Sequence, residues 1–376
     1  MDFSFSDEQT LLQESVSRFI ANDYGFEERQ KHSRSDLGYS TENWKTFAEL
    51  GWLGVPFAEG AGGFGGGAVE MMLMMEEFGK GLVVEPYLAT VVACGAALNV
   101  AGSEDQQAAY IPDIVGGSKL WALAFAEPQG RFNLADLLTV ATSDKGKYSI
   151  SGHKAVVING PNADFFIVSA RTSGEQRDKE GVSLFIIPSK AAGLSRRDYP
   201  TVDGQRACEL MLDQVELDES NILGEEGQGL VVLEQAIDFA TLAIGSEAVG
   251  CMEVLYKDTV EYCKNREQFG QPIGKFQVLQ HRMVDMFMEH EQSKSLMFMA
   301  AMRWDEGYGP EAQKAVSAFK VQVGKSGKFV GQSAVQLHGG MGMTDELNIG
   351  HYFKRLTIID TMFGNVDHHL KRFGDL

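Results

Sequence analysis

The chain has 376 residues, 44% of them hydrophobic, which is typical of a folded globular protein with two or three domains. Its formal net charge of −19 argues against a nucleic-acid partner, because binding to a phosphate backbone requires clustered Lys and Arg. The charge does not exclude an anionic small molecule, which needs only a local group of cations.

The sequence carries no targeting or membrane signal that we can identify. Its first eight residues lack both the basic start and the apolar run of a signal peptide. No uninterrupted apolar stretch approaches the length of a transmembrane helix. The four cysteines do not have the spacing of a metal site and fit reduced core thiols. We therefore expect a cytoplasmic protein with no membrane partner and no metal.

Residues 1–119 are predicted to form an α-helical domain. Ser6 and Gln9 have the spacing of a capping box, which begins an amphipathic helix. Helical spacing of apolar residues then returns around Trp44 and through the Met-rich stretch 71–75. The first third of the chain is therefore expected to contain no sheet.

The pattern changes to the period-two alternation of β-strands in residues 120–226. Seven short strands are predicted, at 121–126, 138–143, 147–151, 154–158, 164–170, 182–187 and 208–215. Strands of this number and spacing indicate a small β-barrel or sandwich. The helical period returns in residues 227–376, where long helices are predicted at 230–264, 276–306, 310–338 and 346–371.

The turn between the first two of these long helices gathers groups that suit a nucleotide. It contains a fixed cation, Arg266, the amides of Gln268, Gln271 and Gln277, and the aromatic ring of Phe269. An Arg side chain offers a rigid fork of donors to phosphate oxygens, and amides can bond the polar edges of a base. On these residues alone, a solvated corner between two helices remains the simpler interpretation.

The pattern Arg-x-x-Phe-Gly-x-x-Ile-x-x-Phe-Gln at 266–277, followed by Gln-Leu-His-Gly-Gly-Met-Gly at 336–342, resembles the acyl-CoA dehydrogenase family. The resemblance spans nearly the whole chain. In that family both blocks reach across a subunit interface and hold the adenosine diphosphate part of FAD bound to the neighbouring subunit. The resemblance therefore assigns FAD binding to Arg266, Gln268, Phe269, Gln277, Gln336, Gly339 and Gly340.

The resemblance also implies a fold and a reaction. The expected fold class is α+β, with an N-terminal α domain (1–119), a middle β-barrel or sandwich domain (120–226) and a C-terminal four-helix bundle (227–376). The expected reaction is α,β-dehydrogenation of an acyl-CoA thioester with FAD as cofactor. An electron-transferring flavoprotein is the expected acceptor.

Two segments that face the flavin in this family depart from its pattern. Where the family has Thr-Glu-Pro, the chain has Ala126 before Glu127 and Pro128. Where it has Lys-x-Trp-Ile-Thr-Asn-Gly, the chain has Val156 at the Trp position and Ile158 at the Thr position. We expect each lost contact to weaken flavin binding by about 1–3 kcal/mol.

Both usual positions of the catalytic base are also empty. A Glu near the C-terminus of most members is matched by Phe363, flanked here by Met362 and Gly364. The Glu and neighbouring CoA-binding Arg that other members place on the first long C-terminal helix are matched by Ala240 and Thr241.

The candidate base is Glu247, which lies seven residues beyond Ala240 on the same helix face and within an apolar run. A carboxylate in apolar surroundings suits removal of a proton from a weak carbon acid. The alternative is a structural Glu paired with a basic or hydroxyl group. Asp360 and Asp367 lie near the C-terminal position but do not match it.

Donors to a neighbour's FAD are thus retained while the chain's own flavin pocket is altered. This combination resembles the small subunits of heterotetrameric acyl-CoA dehydrogenases of the pimeloyl-CoA and steroid side-chain types. We expect a subunit that shares its FAD site with a sister subunit in β-oxidation of fatty acids or steroid side chains. The alternatives are a homo-oligomeric enzyme with Glu247 as base, a non-catalytic structural subunit, and a flavin monooxygenase of the same fold.

Overall fold

A computed structural model describes residues 5–376. The chain forms two compact units, each assembled from segments that are distant in sequence. One unit combines residues up to 31 with residues 68–83 and 241–376, and the other combines residues 32–67 with residues 84–240. The predicted domain boundaries after residues 119 and 226 stay predictions.

The helices of the described chain occupy most of its N-terminal third and its C-terminal part. In chain order they are α1 (Asp7–Asp23), α2 (Phe26–Arg34), α3 (Thr41–Glu49), α4 (Ala68–Gly81), α5 (Gly95–Ala101), α6 (Glu104–Val115), α7 (Gly229–Asn265), α8 (Gln277–Asp305), α9 (Pro310–His338), α10 (Asn348–Thr361) and α11 (Val366–Asp375). A π-helical segment, Leu88–Cys94, leads directly into α5. The predicted capping box is confirmed, because the Ser6 hydroxyl accepts from the Gln9 amide and the Gln9 side chain accepts from the Ser6 amide.

One sheet forms the core of the second unit. Its strands are β1 (Trp121–Ala124), β2 (Val140–Asp144), β3 (Lys147–Ile158), β4 (Phe165–Arg171), β5 (Val182–Pro188), β6 (Leu194–Pro200), β7 (Arg206–Asp218) and β8 (Ile222–Leu223). The order is β6-β7-β3-β2-β4-β5-β8, and β1 pairs in parallel with β4. Buried aromatic and aliphatic side chains from one side of the sheet's alternation, such as Phe166 and Val168 of β4 and Phe185 of β5, form one hydrophobic cluster. The predicted helix–sheet–helix order and α+β class are confirmed.

Three details of the prediction are wrong. The strands predicted at 147–151 and 154–158 are one strand, β3, whose register shifts beside Gly152 where the backbone lies against Thr139. Strand β6 was missed because most of its side chains are exposed, so it lacks an apolar alternation. The last predicted helix is broken between α10 and α11, where Phe363 and Gly364 have positive φ angles of 57° and 114°.

Helices α4 and α7 touch backbone to backbone. A Cβ atom added at Gly79 would lie 2.0 Å from the Glu247 carbonyl oxygen, and one added at Gly250 would lie 1.9 Å from the Glu76 carbonyl oxygen. Only Gly allows so close an approach. The crossing brings acidic residues of both helices into the interior of the first unit.

Helix α7 is long and apolar enough to cross a membrane by length and composition. However, 78% of its most apolar stretch is buried inside the protein. That burial is typical of the core helix of a folded domain, where apolar side chains surround the helix on all sides.

Candidate active site

The turn that joins α7 to α8 is a tight β-hairpin. Two short strands, β9 (Glu267–Gln268) and β10 (Gln271–Pro272), pair in antiparallel fashion. Phe269 and Gly270 between them have φ angles of 55° and 78°, the two left-handed residues that a type I′ turn requires. The Ile273 amide donates to the Arg266 carbonyl at 2.8 Å and closes the hairpin. This geometry leaves the Phe269 side chain 91% exposed at the tip.

The second block lies at the same end of the helical unit. The rings of Tyr262, in the last turn of α7, and His338, at the end of α9, are 4.2 Å apart between centroids. Arg266 lies one helical turn beyond Tyr262, and its amide donates to the Tyr262 carbonyl at 2.8 Å. Burial lowers the pKa of His338, whose Nδ1 lies 2.8 Å from the Ala334 carbonyl oxygen, so the ring serves as a packing partner. The structure therefore brings the two sequence blocks together.

The predicted FAD contacts share one property, which is exposure at this end of the unit. They are Arg266, Gln268, Phe269, Gln277, Gln336, Gly339 and Gly340. The backbone beside the two glycines is open, because a Cβ at Gly339 or Gly340 would meet no atom within 4 Å. A fixed cation, several side-chain amides and open space beside the two glycines fit a diphosphate and a base that approach from outside.

The retained Glu127 and Lys154 form a buried ion pair with a structural role. Their Oε1 and Nζ atoms are 2.7 Å apart, and Lys154 also donates to the Ser169 hydroxyl at 3.1 Å. Glu127 accepts from the backbone amides of Leu138 and Thr139 at 2.7 and 3.1 Å. The pair therefore fastens the segment after β1 to strand β3.

Burial lowers the pKa of Lys154 to about 8, although the Glu127 carboxylate opposes that shift. Burial alone would raise the pKa of Glu127, but the Lys154 ammonium and the hydrogen bonds outweigh it and hold the pKa below its usual value. Glu127 and Lys154 thus bind each other and are not groups available to a substrate.

The surface that would face a flavin ring is apolar here. The Ala155 amide donates to the Ala126 carbonyl at 2.8 Å, so the two altered segments are adjacent. Val156 lies at a register shift of β3, is 54% exposed, and has a φ of 52°, which is strained for a β-branched residue. The side chains of Ala126, Val156 and Ile158 offer no hydroxyl and no aromatic face. This wall lacks the polar and aromatic contacts that would suit a flavin ring.

Comparisons with known proteins decide the family. Profiles of the N-terminal, middle and C-terminal domains of acyl-CoA dehydrogenases match residues 6–118, 122–215 and 227–374. The chain belongs to the acyl-CoA dehydrogenase family. Members of this family are FAD-dependent oxidoreductases.

Individual relatives cover the whole chain. The short-chain specific acyl-CoA dehydrogenase of Megasphaera elsdenii is 30% identical over 388 aligned positions, which cover 100% of this chain and 99% of the relative. The solved FAD complex of PigA is 28% identical with a TM-score of 0.92, over 100% of this chain and 98% of PigA. A variant of the Tcur3481-Tcur3483 steroid ACAD is 28% identical with a TM-score of 0.88, over 98% and 97% of the two chains.

The loop at the family's C-terminal base position is held by a buried lysine. The Lys320 ammonium donates to the carbonyl oxygens of Ile359, Asp360 and Gly364 at 2.8, 3.0 and 2.6 Å. Burial lowers the pKa of Lys320 to about 7, and the Asp360 carboxylate opposes this shift. These bonds satisfy the last carbonyls of α10 and fix the loop that carries Phe363. The sequence signal for this lysine is its position within the apolar run of α9.

The apolar surroundings expected for Glu247 are corrected by the structure. Arg355 of α10 donates from Nε to Oε1 at 2.5 Å and from Nη2 to Oε2 at 2.7 Å. Both side chains are buried, at 5% and 3% exposure. A carboxylate with two charge-assisted hydrogen bonds is already engaged, which favours the structural alternative. Glu247 as base stays a prediction that this pairing does not support.

The same loop provides a test by pH. His369 is buried, its Nε2 lies 3.0 Å from the Phe363 carbonyl oxygen, and burial together with the Lys320 ammonium lowers its pKa from 6.5 to about 3. Between those values the unfolded chain binds a proton that the native chain lacks, so stability is lost as the pH falls from 6.5 towards 3. We expect acidification to pH 5 to lower the free energy of unfolding of the unmodified protein by about 2 kcal/mol more than that of His369→Gln. Urea unfolding at several pH values measures this difference.

His368→Gln is the matched control, since the neighbouring ring is less buried. The control should keep the acid sensitivity of the unmodified protein. An equal acid sensitivity in His369→Gln would contradict the neutral, buried state of His369.

Proposed function

We propose that this chain is a subunit of a heteromeric, FAD-dependent acyl-CoA dehydrogenase and that it lends its exposed FAD-binding surface to a sister subunit. The observation that carries the proposal is an asymmetry within the chain. The donor set around Arg266 and Gln336 is exposed and together, whereas the wall at Val156 is apolar and Phe363 stands at the base position. A chain with one half of a site needs a partner that carries the other half.

The outward face of α8 supports a partner. The helix buries only one stripe, formed by Met286, His290, Ser293, Met297, Ala300 and Ala301. Its other sides expose Val278, Val284, Phe287, Met288 and Met299. Such a concentration of exposed apolar side chains is typical of an interface core. The hairpin with Arg266 begins this same helix, so a partner on α8 would also reach the FAD-binding surface.

When bound, FAD would accept the hydride that leaves the β-carbon of an acyl thioester. This chain's part would be to bind and orient. Arg266 would bond the diphosphate oxygens, the amides of Gln268, Gln277 and Gln336 would bond the adenosine, and Phe269 would pack on the base. The sister subunit would supply the carboxylate that takes the α-proton.

For the acyl group of the substrate, only its chemical class is inferred. We infer an acyl-CoA substrate of fatty acid or steroid side-chain β-oxidation, and the similarity to a steroid ACAD supports the second of these. We infer an electron-transferring flavoprotein as acceptor and the cytoplasm as location. The buried, unpaired state of the cysteines Cys94, Cys208, Cys251 and Cys263 agrees with a reducing compartment.

Arg266→Ala tests the proposal in the assembled complex. The variant removes a charged donor, and hydrogen bonds to charged groups contribute about 1.5–3 kcal/mol, so the affinity for FAD should fall roughly 10- to 100-fold. Arg18→Ala is the matched control, because Arg18 is a 70% exposed cation in a surface ion pair of α1. Flavin content after dialysis, and titration of the apoprotein with FAD, measure the change.

The other functions make different predictions for the same complex. Unchanged flavin content in Arg266→Ala would indicate a structural subunit and contradict the proposal. Loss of turnover in Glu247→Gln with flavin retained would indicate a homo-oligomeric enzyme that uses Glu247 as base. Oxygen consumption by the reduced flavin would indicate a monooxygenase.

A further inference from the structure

A polar cluster in the interior of the first unit lies apart from every residue assigned above. It contains Glu76 of α4, Glu253 of α7 and His290 of α8, and one ligand atom from each lies within 4.8 Å of the other two. Glu76 and His290 are 1% and 2% exposed. Three helices of a bundle thus direct two carboxylates and one imidazole to one point.

Three buried polar atoms of this cluster lack a hydrogen-bond partner among the described residues: Glu76 Oε2, Glu253 Oε2 and His290 Nε2. The Lys80 ammonium lies 3.2 Å from Glu253 Oε2 as an ion pair. A buried polar atom without a partner is destabilising, and such atoms are rare in native structures. These atoms are acceptors when the carboxylate is ionised and the ring is neutral, so the occupant must be a cation or a donor.

The other polar atoms of the His290 and Glu76 side chains already have hydrogen-bond partners. His290 Nδ1 lies 3.0 Å from Glu291 Oε1, and because a carboxylate only accepts, Nδ1 carries the hydrogen and Nε2 keeps its lone pair. Lys294 donates to Glu76 Oε1 at 2.7 Å and leaves Oε2 available. An outer carboxylate on a histidine and an outer donor on a carboxylate are the supports that metal ligands usually have.

We propose that Glu76, Glu253 and His290 form a binding site for a divalent transition-metal ion such as Zn²⁺. Imidazole and carboxylate ligands suit this class of ion, and three protein ligands leave an open position for water. Ligand atoms about 2.1 Å from an ion in a tetrahedral site lie about 3.4 Å apart, and small side-chain rotations bring atoms that lie within 4.8 Å of one another to that spacing. The sequence spacing did not reveal the site because each ligand comes from a different helix.

Lys80 is the competing cation. Its ammonium lies 3.2 Å from Glu253 Oε2 and 2.9 Å from Glu77 Oε1. Glu253 Oε1 pairs with Lys257. Lys80 therefore neutralises part of the charge that attracts a metal, and its bond to Glu77 would keep it paired when the ion binds Glu253. Replacing Lys80 by Met should strengthen metal binding roughly tenfold, because a like charge near the ion is removed.

The test uses Co²⁺ as a spectroscopic probe on the full-length protein after treatment with a chelator. We expect one Co²⁺ per chain, visible d–d bands without a thiolate charge-transfer band, and displacement of the bands by Zn²⁺. His290→Asn should lose the bands. His281→Asn should keep them, because His281 is an exposed histidine on the same helix.

Two further variants keep the test decisive if His290→Asn does not fold. Glu76→Gln preserves the shape of the side chain and should also lose the bands, whereas Lys80→Met should bind Co²⁺ more tightly. The absence of saturable bands in the unmodified protein and in Lys80→Met would mean that water fills the cluster, and it would overturn the proposal. Equal bands in His290→Asn or Glu76→Gln would overturn it as well. Flavin binding plays no part in this measurement, so its result is independent of the shared FAD site.

Discussion

Arg355→Met is expected to lower the free energy of unfolding by about 3–5 kcal/mol, the range for removal of one partner of a buried ion pair. The variant leaves the Glu247 carboxylate buried without the two charge-assisted hydrogen bonds at 2.5 and 2.7 Å. The loss should be large because the pair joins α7 to α10, two helices that are distant in sequence. Equilibrium unfolding in urea, with the denaturant slope checked for a two-state transition, measures it.

A double variant separates the ion pair from simple loss of packing. Glu247→Met combined with Arg355→Met removes both charges and should recover most of the stability, because an apolar pair of similar size avoids the unpaired carboxylate. A double variant as unstable as Arg355→Met alone would contradict the assignment of Glu247 to a structural pair. The prediction that Glu247 is the base would then deserve a kinetic test first.

Lys154→Met is expected to cost about 3 kcal/mol of stability, since it removes the cation from a pair in which both side chains are almost fully buried. The loss should be at the lower end of the range of about 3–5 kcal/mol for a broken buried ion pair. Glu127 keeps the backbone amide donors of Leu138 and Thr139. Thermal unfolding and proteolysis of the loop after β1 should both report the change.

Lys147→Met is the matched control, because Lys147 is an exposed lysine at the start of the same strand. Its free energy of unfolding should be within about 0.5 kcal/mol of that of the unmodified protein. Glu127→Gln added to Lys154→Met should restore part of the loss by removing the buried charge. A loss as large in Lys147→Met would mean that the effect arises from the strand and not from the ion pair.

The long periodic elements could be predicted from the sequence because a local pattern specifies them. The helices α7, α8 and α9 follow the predicted ranges within a few residues, and the capping box of α1 is present as predicted. Strand β6 lacks a local signal, because as an edge strand it pairs only with β7 and keeps a polar surface. The break at Phe363 and Gly364 was missed because helical periodicity was given more weight than the Gly that ends the helix.

The polar interior could not be predicted, because its partners are far apart in the chain. Glu247 and Arg355 are separated by 108 residues, and Glu76 and Lys294 by 218. Only the tertiary structure brings such groups together, so a sequence can indicate that a buried charge is unusual but not which residue pairs with it. The proposed FAD-binding residues follow from a resemblance for the opposite reason, since their two blocks are short and contiguous in the sequence.

The amount of FAD that the chain binds by itself tests the shared site most directly. The protein purified alone would be mixed with excess FAD, freed of unbound flavin, and its flavin-to-chain ratio measured by visible absorption. The account predicts little or no bound FAD, and a stoichiometric flavin complex only after co-expression with a sister acyl-CoA dehydrogenase subunit. About one FAD per chain in the protein alone would contradict the shared site and indicate a homo-oligomeric enzyme.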